Sequence, residues 1–168
     1  DGFDAIFIGT GVWAPKKLGI KGESLGNVHF AIDYLKTPKA YDLGKKVVVV
    51  GAGNVAMDVA RTAIRNGARD VSIMYRKGED AMPAERIEIE HAKIDGVKFN
   101  LFKSPLEFTE KGINYVNTSK DDNSNGFEPA DAILVAISQT ARDLIVKNNT
   151  GLSLGENGLL QSDENGIT

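Results

Sequence analysis

The stretch Gly51-Ala52-Gly53-Asn54-Val55-Ala56 has the residue types and spacing of a phosphate-binding turn, G-x-G-x-x-A. The flanking residues give that pattern its meaning. Residues 47–50 are four consecutive valines, as in a strand buried on both faces of a parallel sheet. Residues 54–66 read as an amphipathic helix. Val55, Val59 and Ala63 share a face with Ala56, Ala60 and Ile64, and Gly67 supplies the stop. In such a strand–turn–helix the first glycine permits the sharp turn and the second lets a pyrophosphate approach the backbone. The small third residue lets the helix pack on the strand. Free N–H groups of residues 53–56 and the helix dipole then face the phosphate charge. The predicted chemistry is dinucleotide binding, with Gly51, Gly53, Asn54, Val55 and Ala56 as the cradle.

The end of the next strand chooses the nucleotide. Residues 70–75 read as that strand. An NAD site places Asp or Glu at its end, about 20 residues after the first glycine, to bond the ribose hydroxyls. This chain has Tyr75-Arg76-Lys77 there, with Arg76 lying 25 residues after Gly51. A guanidinium pairs bidentately with a 2′-phosphate, and a lysine adds a point charge. Arg76 and Lys77 are therefore expected to hold the 2′-phosphate of NADPH, with Tyr75 placed to stack near the adenine. Glu79 and Asp80 are the acidic alternative, suited to an NAD ribose if the loop folds back. His29 and His91 are the only histidines, and no nucleophile–base pair or metal-ligand cluster stands out. Asp121-Asp122-Asn123 lacks the rest of a calcium-loop pattern and reads as a loop tip. Hydride transfer between a nicotinamide and a flavin requires positioning, and the cofactors carry the chemistry.

The elements that must position these residues follow from composition and pattern. The chain has 168 residues, 42% hydrophobic and 26% charged, enough for one well-cored domain with flanking segments. A net charge of -3 argues against a general nucleic-acid or membrane-surface binder. The absence of cysteine excludes disulfides and cysteine-held iron–sulfur clusters within this chain. No apolar run approaches the length of a bilayer span and no leader is visible, so the expected compartment is the cytoplasm. Residues 4–9 read as a short strand reaching a Gly-Thr-Gly turn, 28–35 as a short helix, and 37–44 as a polar linker. Pro83 is expected to open a helix over 84–94, and residues 97–102 to form a third strand. A hairpin is predicted from 106–109 and 113–118 about Lys111-Gly112, with 120–126 as a loop tip and 127–130 as a third short strand. Residues 132–137 return as a fully apolar central strand. The fold class is α/β: a Rossmann-like three-layer FAD/NAD(P)-binding domain with a parallel sheet, helices and an inserted antiparallel β-meander.

These residues resemble a known family. The stretch Gly51-Ala52-Gly53-Asn54-Val55-Ala56-Met57-Asp58-Val59-Ala60-Arg61-Thr62-Ala63 is similar to the G-G-G-N-x-A-M-D-x-A-R-T-A run of the glutamate synthase small (beta) subunit family. Tyr75-Arg76-Lys77 followed by Met82-Pro83-Ala84 matches its Y-R-R and M-P-A. Residues 131–139 resemble its D-x-(apolar)-A-I-G-Q segment, and residues 4–11 with Pro15 and Gly22-Glu23 resemble its link out of an FAD domain. The resemblance implies that residues 1–44 are a connecting strand and linker, 45–140 the NADPH-binding domain, and 141–168 a connection back toward the FAD domain. It implies that Ala136, Ile137 and Ser138 lie beside the nicotinamide, and that Thr10 and Gly11 approach the flavin side. Ser138 departs from the family's glycine and Ala141 from its usual proline. The FAD motifs would lie before residue 1 and beyond residue 168, with iron–sulfur cysteines upstream. The implied activity is that of an NADPH-dependent flavoprotein oxidoreductase, delivering hydride from NADPH to FAD and electrons to a catalytic large subunit for glutamate synthesis. Ferredoxin:NADP transhydrogenase subunits and the flavin half of dihydropyrimidine dehydrogenase are related alternatives. A non-catalytic nucleotide-sensing module is the alternative from another class.

Overall fold

A computed structural model of the chain describes all residues except 1, 10, 12, 13, 121, 141–145, 147, 157, 158, 165 and 168. In chain order the first elements are β1 (Ala14–Pro15), β2 (Val28–Phe30), α1 (Ala31–Lys36), β3 (Lys46–Val50), α2 (Asn54–Arg65), β4 (Asp70–Tyr75) and α3 (Arg86–Ile94). They are followed by β5 (Lys98–Leu101), β6 (Lys103–Thr109), β7 (Gly112–Asn117), β8 (Asn125–Pro129), β9 (Ala132–Val135) and β10 (Gln139–Thr140). The chain divides into two compact units, Lys17–Ile137 and the terminal segments Asp1–Lys16 with Ser138–Thr168. In the terminal unit β1 pairs antiparallel with β10.

The larger unit is built on a five-stranded parallel sheet in the order β2-β9-β3-β4-β5. The valine run explains its layering. Side chains alternate across a strand, so Val47 and Val49 face one way and Val48 and Val50 the other. Val47 and Val49 join Ala56, Met57, Val59, Ala60 and Ala63 of α2 in one buried cluster. Val48 and Val50 join Phe108, Ile113 and Ala130 of the meander side in a second. Strand β9 splits in the same way, with Ala132 and Leu134 on the helical side and Ile133 and Val135 on the other. Both faces are covered, so neither strand shows a polar face in sequence. The predicted three-layer α/β architecture, with helices on one face and an antiparallel β6-β7-β8 meander inserted between β5 and β9, is the one observed. Glu128 on β8 bonds both Lys46 and Lys103 at 3.3 Å, tying the meander to the start of β3.

Several sequence expectations are corrected. Residues 28–30 are not helical but form β2, in parallel register with β9 from Val28↔Ile133 to Phe30↔Val135. The strand passes into α1 with no turn residue between them, which is why the segment reads as one helix. Residues 4–9 form no strand, and Ile6 and Phe7 are exposed. An apolar run becomes a strand only where a neighbour satisfies its backbone groups. Helix α3 begins at Arg86 rather than at residue 84, because Pro83 and Ala84 belong to a turn bonded to the glycine loop. Strand β6 starts at Lys103 and carries a register shift between Pro105 and Glu107, a bulge that the pattern of alternation hides.

A single carboxylate aligns the starts of the two central strands. Asp131 Oδ2 accepts the N–H groups of Lys45 and Lys46, each at 2.8 Å, while the Asp131 N–H donates to the Lys46 carbonyl at 2.8 Å. The Lys46 and Lys45 N–H bonds hold the Asp131 carboxyl below the usual carboxylate range. A carboxyl lowered by folding stabilises the fold above its unfolded pKa, and this contribution is lost as pH falls through the folded one. Asp131→Ala is therefore expected to lower the urea midpoint clearly at pH 7 and much less at pH 3. Equal losses at both pH values would show that the carboxylate charge is not what aligns these strands.

Candidate dinucleotide site

The two glycines of the turn answer to different demands. Gly51 has φ +127°, its N–H donates to the Met74 carbonyl at 3.0 Å, and the neighbouring Ala136 N–H donates to the Val50 carbonyl at 2.8 Å. A Cβ on Gly51 would overlap the Ala136 carbonyl oxygen. Glycine is thus required by the protein itself, where the ends of β3, β4 and β9 converge. Gly53 has an ordinary extended backbone, φ −87° and ψ 177°, and a Cβ there would find only Pro83 Cγ at 3.9 Å. Nothing in the fold demands glycine at 53. The open volume lies at the N-terminus of α2, where the N–H groups of Gly53, Asn54 and Val55 meet no protein acceptor among the described residues. Space and donors together fit a phosphate group. Ala56 departs from the expected role, because its N–H already donates to the Gly53 carbonyl at 2.9 Å. It is fully buried and serves packing.

Asn54 does more than its backbone suggests. Its side-chain Oδ1 accepts the Glu85 N–H at 2.8 Å, and the Ala84 N–H donates to the Ala52 carbonyl at 3.2 Å. The Met82-Pro83-Ala84 loop is thereby fastened to the phosphate turn. Two helical turns further on, Arg61 bonds Asp95 at 2.8 Å and Glu88 at 3.0 Å, and Arg65 adds a bond to Asp95 at 3.1 Å. Arg61 is the chief reason the Asp95 carboxyl is held below its ordinary range. The two motif blocks read separately in the sequence are one interlocked unit of α2 and α3.

Arg76 and Lys77 are exposed and follow directly on β4, the strand beside β3. Their main chain is fixed from the meander side: Thr118 Oγ1 donates to the Arg76 carbonyl at 2.6 Å, and the Phe102 N–H donates to the Lys77 carbonyl at 3.3 Å. Tyr75 packs against the helical-side core, and its hydroxyl donates to the Ala81 carbonyl at 2.7 Å, closing the short 3₁₀ turn over Glu79–Ala81. Of the acidic alternative, the Glu79 carboxylate is paired with Lys93 of α3 at 2.6 Å, whereas Asp80 is exposed.

Ala136 and Ile137 follow β9, with Ala136 against Gly51 and Ile137 packed on the meander-side cluster. Ser138 and Gly11 belong to the terminal unit, where the Ser138 carbonyl accepts the Lys16 N–H at 3.1 Å and Gly11 has φ +69°. Thr10 and Ala141 lie outside the described residues. The structure thus gathers Gly51, Gly53, Asn54, Val55, Ala56, Ala136 and Ile137 about one turn, with Arg76 and Lys77 after the adjacent strand. The fastening roles of Asn54, Asp131, Phe102 and Thr118 were not readable from sequence. Each depends on a partner at least 16 residues away, and only the Asn54 motif position hinted at one.

A family model described as pyridine nucleotide-disulphide oxidoreductase matches residues 1–168. The chain belongs to this family. Among oxidoreductases of known annotation it is similar to a glutamate synthase [NADPH] small chain of Halomonas elongata, 34% identical over 98% of this chain and 41% of that protein. It is also similar to the NADP(+)-dependent formate dehydrogenase subunit beta of Moorella thermoacetica, 42% identical over 66% of this chain and 16% of that protein. The chain therefore spans less than half the length of these relatives. Among solved structures, T. acidophilum thioredoxin reductase superposes with a TM-score of 0.75 at 19% identity, over 90% of this chain and 49% of that one. That likeness establishes the fold of this oxidoreductase domain.

The different demands on the two glycines have separate consequences. Gly51→Ala is expected to destabilise the domain by about 2 kcal/mol or more, through the overlap and the unfavourable φ. Gly53→Ala is expected to cost about 1 kcal/mol or less in stability while weakening dinucleotide binding. Chemical denaturation beside nucleotide titration measures both. Equal destabilisation by the two changes would contradict the division of roles.

Proposed function

We propose that this domain binds NADPH and presents its nicotinamide to a flavin held elsewhere in the same protein, within an oxidoreductase of the glutamate synthase small-chain type. In this reading residues 45–140 form the NADPH-binding domain, flanked by connections over 1–44 and 141–168. The N–H groups of Gly53, Asn54 and Val55 hold the pyrophosphate, and Gly51 and Ala56 shape the turn that aims them. Arg76 and Lys77 hold the 2′-phosphate. Ala136, Ile137 and Ser138 border the nicotinamide, and Thr10 and Gly11 the flavin side. When bound, NADPH supplies the hydride and FAD accepts it; the protein's part is to hold and orient. In the whole protein, iron–sulfur centres held outside this chain would carry the electrons to a larger catalytic subunit that makes glutamate, in the cytoplasm.

The observation that carries the NADPH reading is the charge pattern after β4. Two exposed cations stand where an NAD site needs a carboxylate, and the nearby carboxylate of Glu79 is already paired with Lys93. A second reading keeps the NADPH site and changes the acceptor. The higher identity to a formate dehydrogenase subunit, 42% over 66% of this chain, favours it.

Arg76→Ala is expected to raise the Kd for NADPH by about 10- to 100-fold and to leave that for NADH within about twofold, as loss of a charge-assisted contact to the 2′-phosphate alone. Isothermal titration of both nucleotides reads the two constants. An unchanged preference for NADPH over NADH in the variant would sink the 2′-phosphate assignment.

A further inference from the structure

Phe102 has φ +56°, the one positive φ on a residue other than glycine among the described residues. A bulky aromatic in this region is a backbone outlier, and such outliers persist only where their surroundings hold them. Phe102 sits at the junction of β5 and β6, where the parallel sheet gives way to the meander. Its N–H donates to the Lys77 carbonyl at 3.3 Å, and its own carbonyl accepts the Thr118 N–H at 2.7 Å. Thr118 in turn donates its hydroxyl to the Arg76 carbonyl at 2.6 Å. The ring of Phe102 lies against Gly78, where a Cβ would come within 2.9 Å of Phe102 Cζ. Two residues from the meander side thus bond the main chain of Arg76 and Lys77 in succession, and one of them lays its ring against Gly78.

We propose that Phe102 and Thr118 are positioning residues for 2′-phosphate recognition, holding the Arg76–Gly78 loop in the conformation that presents both cations to NADPH. This inference rests on the assignment of Arg76 and Lys77 to the 2′-phosphate. Neither residue touches the nucleotide in this scheme; Thr118 acts through the Arg76 carbonyl, and Phe102 through the Lys77 carbonyl and the ring it lays against Gly78. An exposed loop carrying two long side chains would otherwise spend its binding energy on ordering itself. A loop fixed at its carbonyls leaves only the side chains to settle. The meander thereby acquires a part in nucleotide choice, beyond covering the face of the sheet.

The test uses the intact protein, with NADPH and NADH titrated separately against Thr118→Val, Phe102→Gly and Arg76→Ala. Thr118→Val keeps the side-chain shape and removes the donor. Phe102→Gly keeps the main-chain bond to the Lys77 carbonyl, relieves the strained φ and removes the ring from Gly78, so it reads the part played by the ring. Both are expected to raise the Kd for NADPH by about tenfold and to leave that for NADH within about twofold. Equal losses for both nucleotides would mean a merely structural role and overturn the proposal, as would no loss for either. If Arg76→Ala erases the preference for NADPH and the other two variants keep it, the positioning role fails alone. If Arg76→Ala itself keeps the preference, the underlying 2′-phosphate assignment fails. Should Phe102→Gly not fold, the two constants for Thr118→Val decide.

Discussion

The close approach of three strand ends at Gly51 is the constraint on which the domain depends. The turn after β3 must pass the end of β9 without a side chain, and its N–H must still reach the Met74 carbonyl of β4. Only then does α2 start with its unbonded N–H groups over open volume. The same geometry sets Ala136 against the turn and brings the residues after β4 to the same end of the sheet as the phosphate cradle. The start of α2 thus depends on one close contact between a glycine and a carbonyl.

Charge then divides the work among residues that sequence alone presents as equals. Glu79 and Arg76 are three residues apart, but one is paired with Lys93 and the other is exposed. Arg61 belongs to the same motif as the phosphate turn, but its guanidinium fastens α2 to Asp95 and Glu88 of the α3 side. Asp131 serves only the backbone of Lys45 and Lys46. The chain carries 20 basic and 23 acidic residues, and the partners of the paired ones show which of them hold the fold.

What could be read from the sequence was local. The runs at 47–50 and 132–135, the helix after Gly53 and the meander all declare themselves through periodicity and turn residues. The residues at 28–30 did not, because a strand that flows into a helix leaves no punctuation. The stretch at 4–9 misled in the opposite sense, since its apolar composition has no ladder partner in the structure. Within the candidate site, the strand–turn–helix was legible down to its glycines, whereas Ala56 lost its expected donor role to a 3₁₀-type bond that any helix start can make. The clasp of Phe102 and Thr118 on Arg76 and Lys77 had no signal at all. A left-handed residue is sought at glycine or asparagine, and a threonine 42 residues from its acceptor has no spacing rule to betray it.

The direct passage from β2 into α1 has a consequence for the chain's behaviour before and after folding. A sheet whose central strands are uniformly apolar is adhesive, and its edges are where another chain would add itself. Here one edge strand is three residues long and is cut short by the helix that begins at Ala31. The opposite edge, β5, begins with Lys98, whose ammonium is engaged by Asp70 of the neighbouring strand at 2.8 Å. The apolar centre of the sheet is thus bordered by one edge of three residues and another that opens on a paired charge, both poor templates for an added strand.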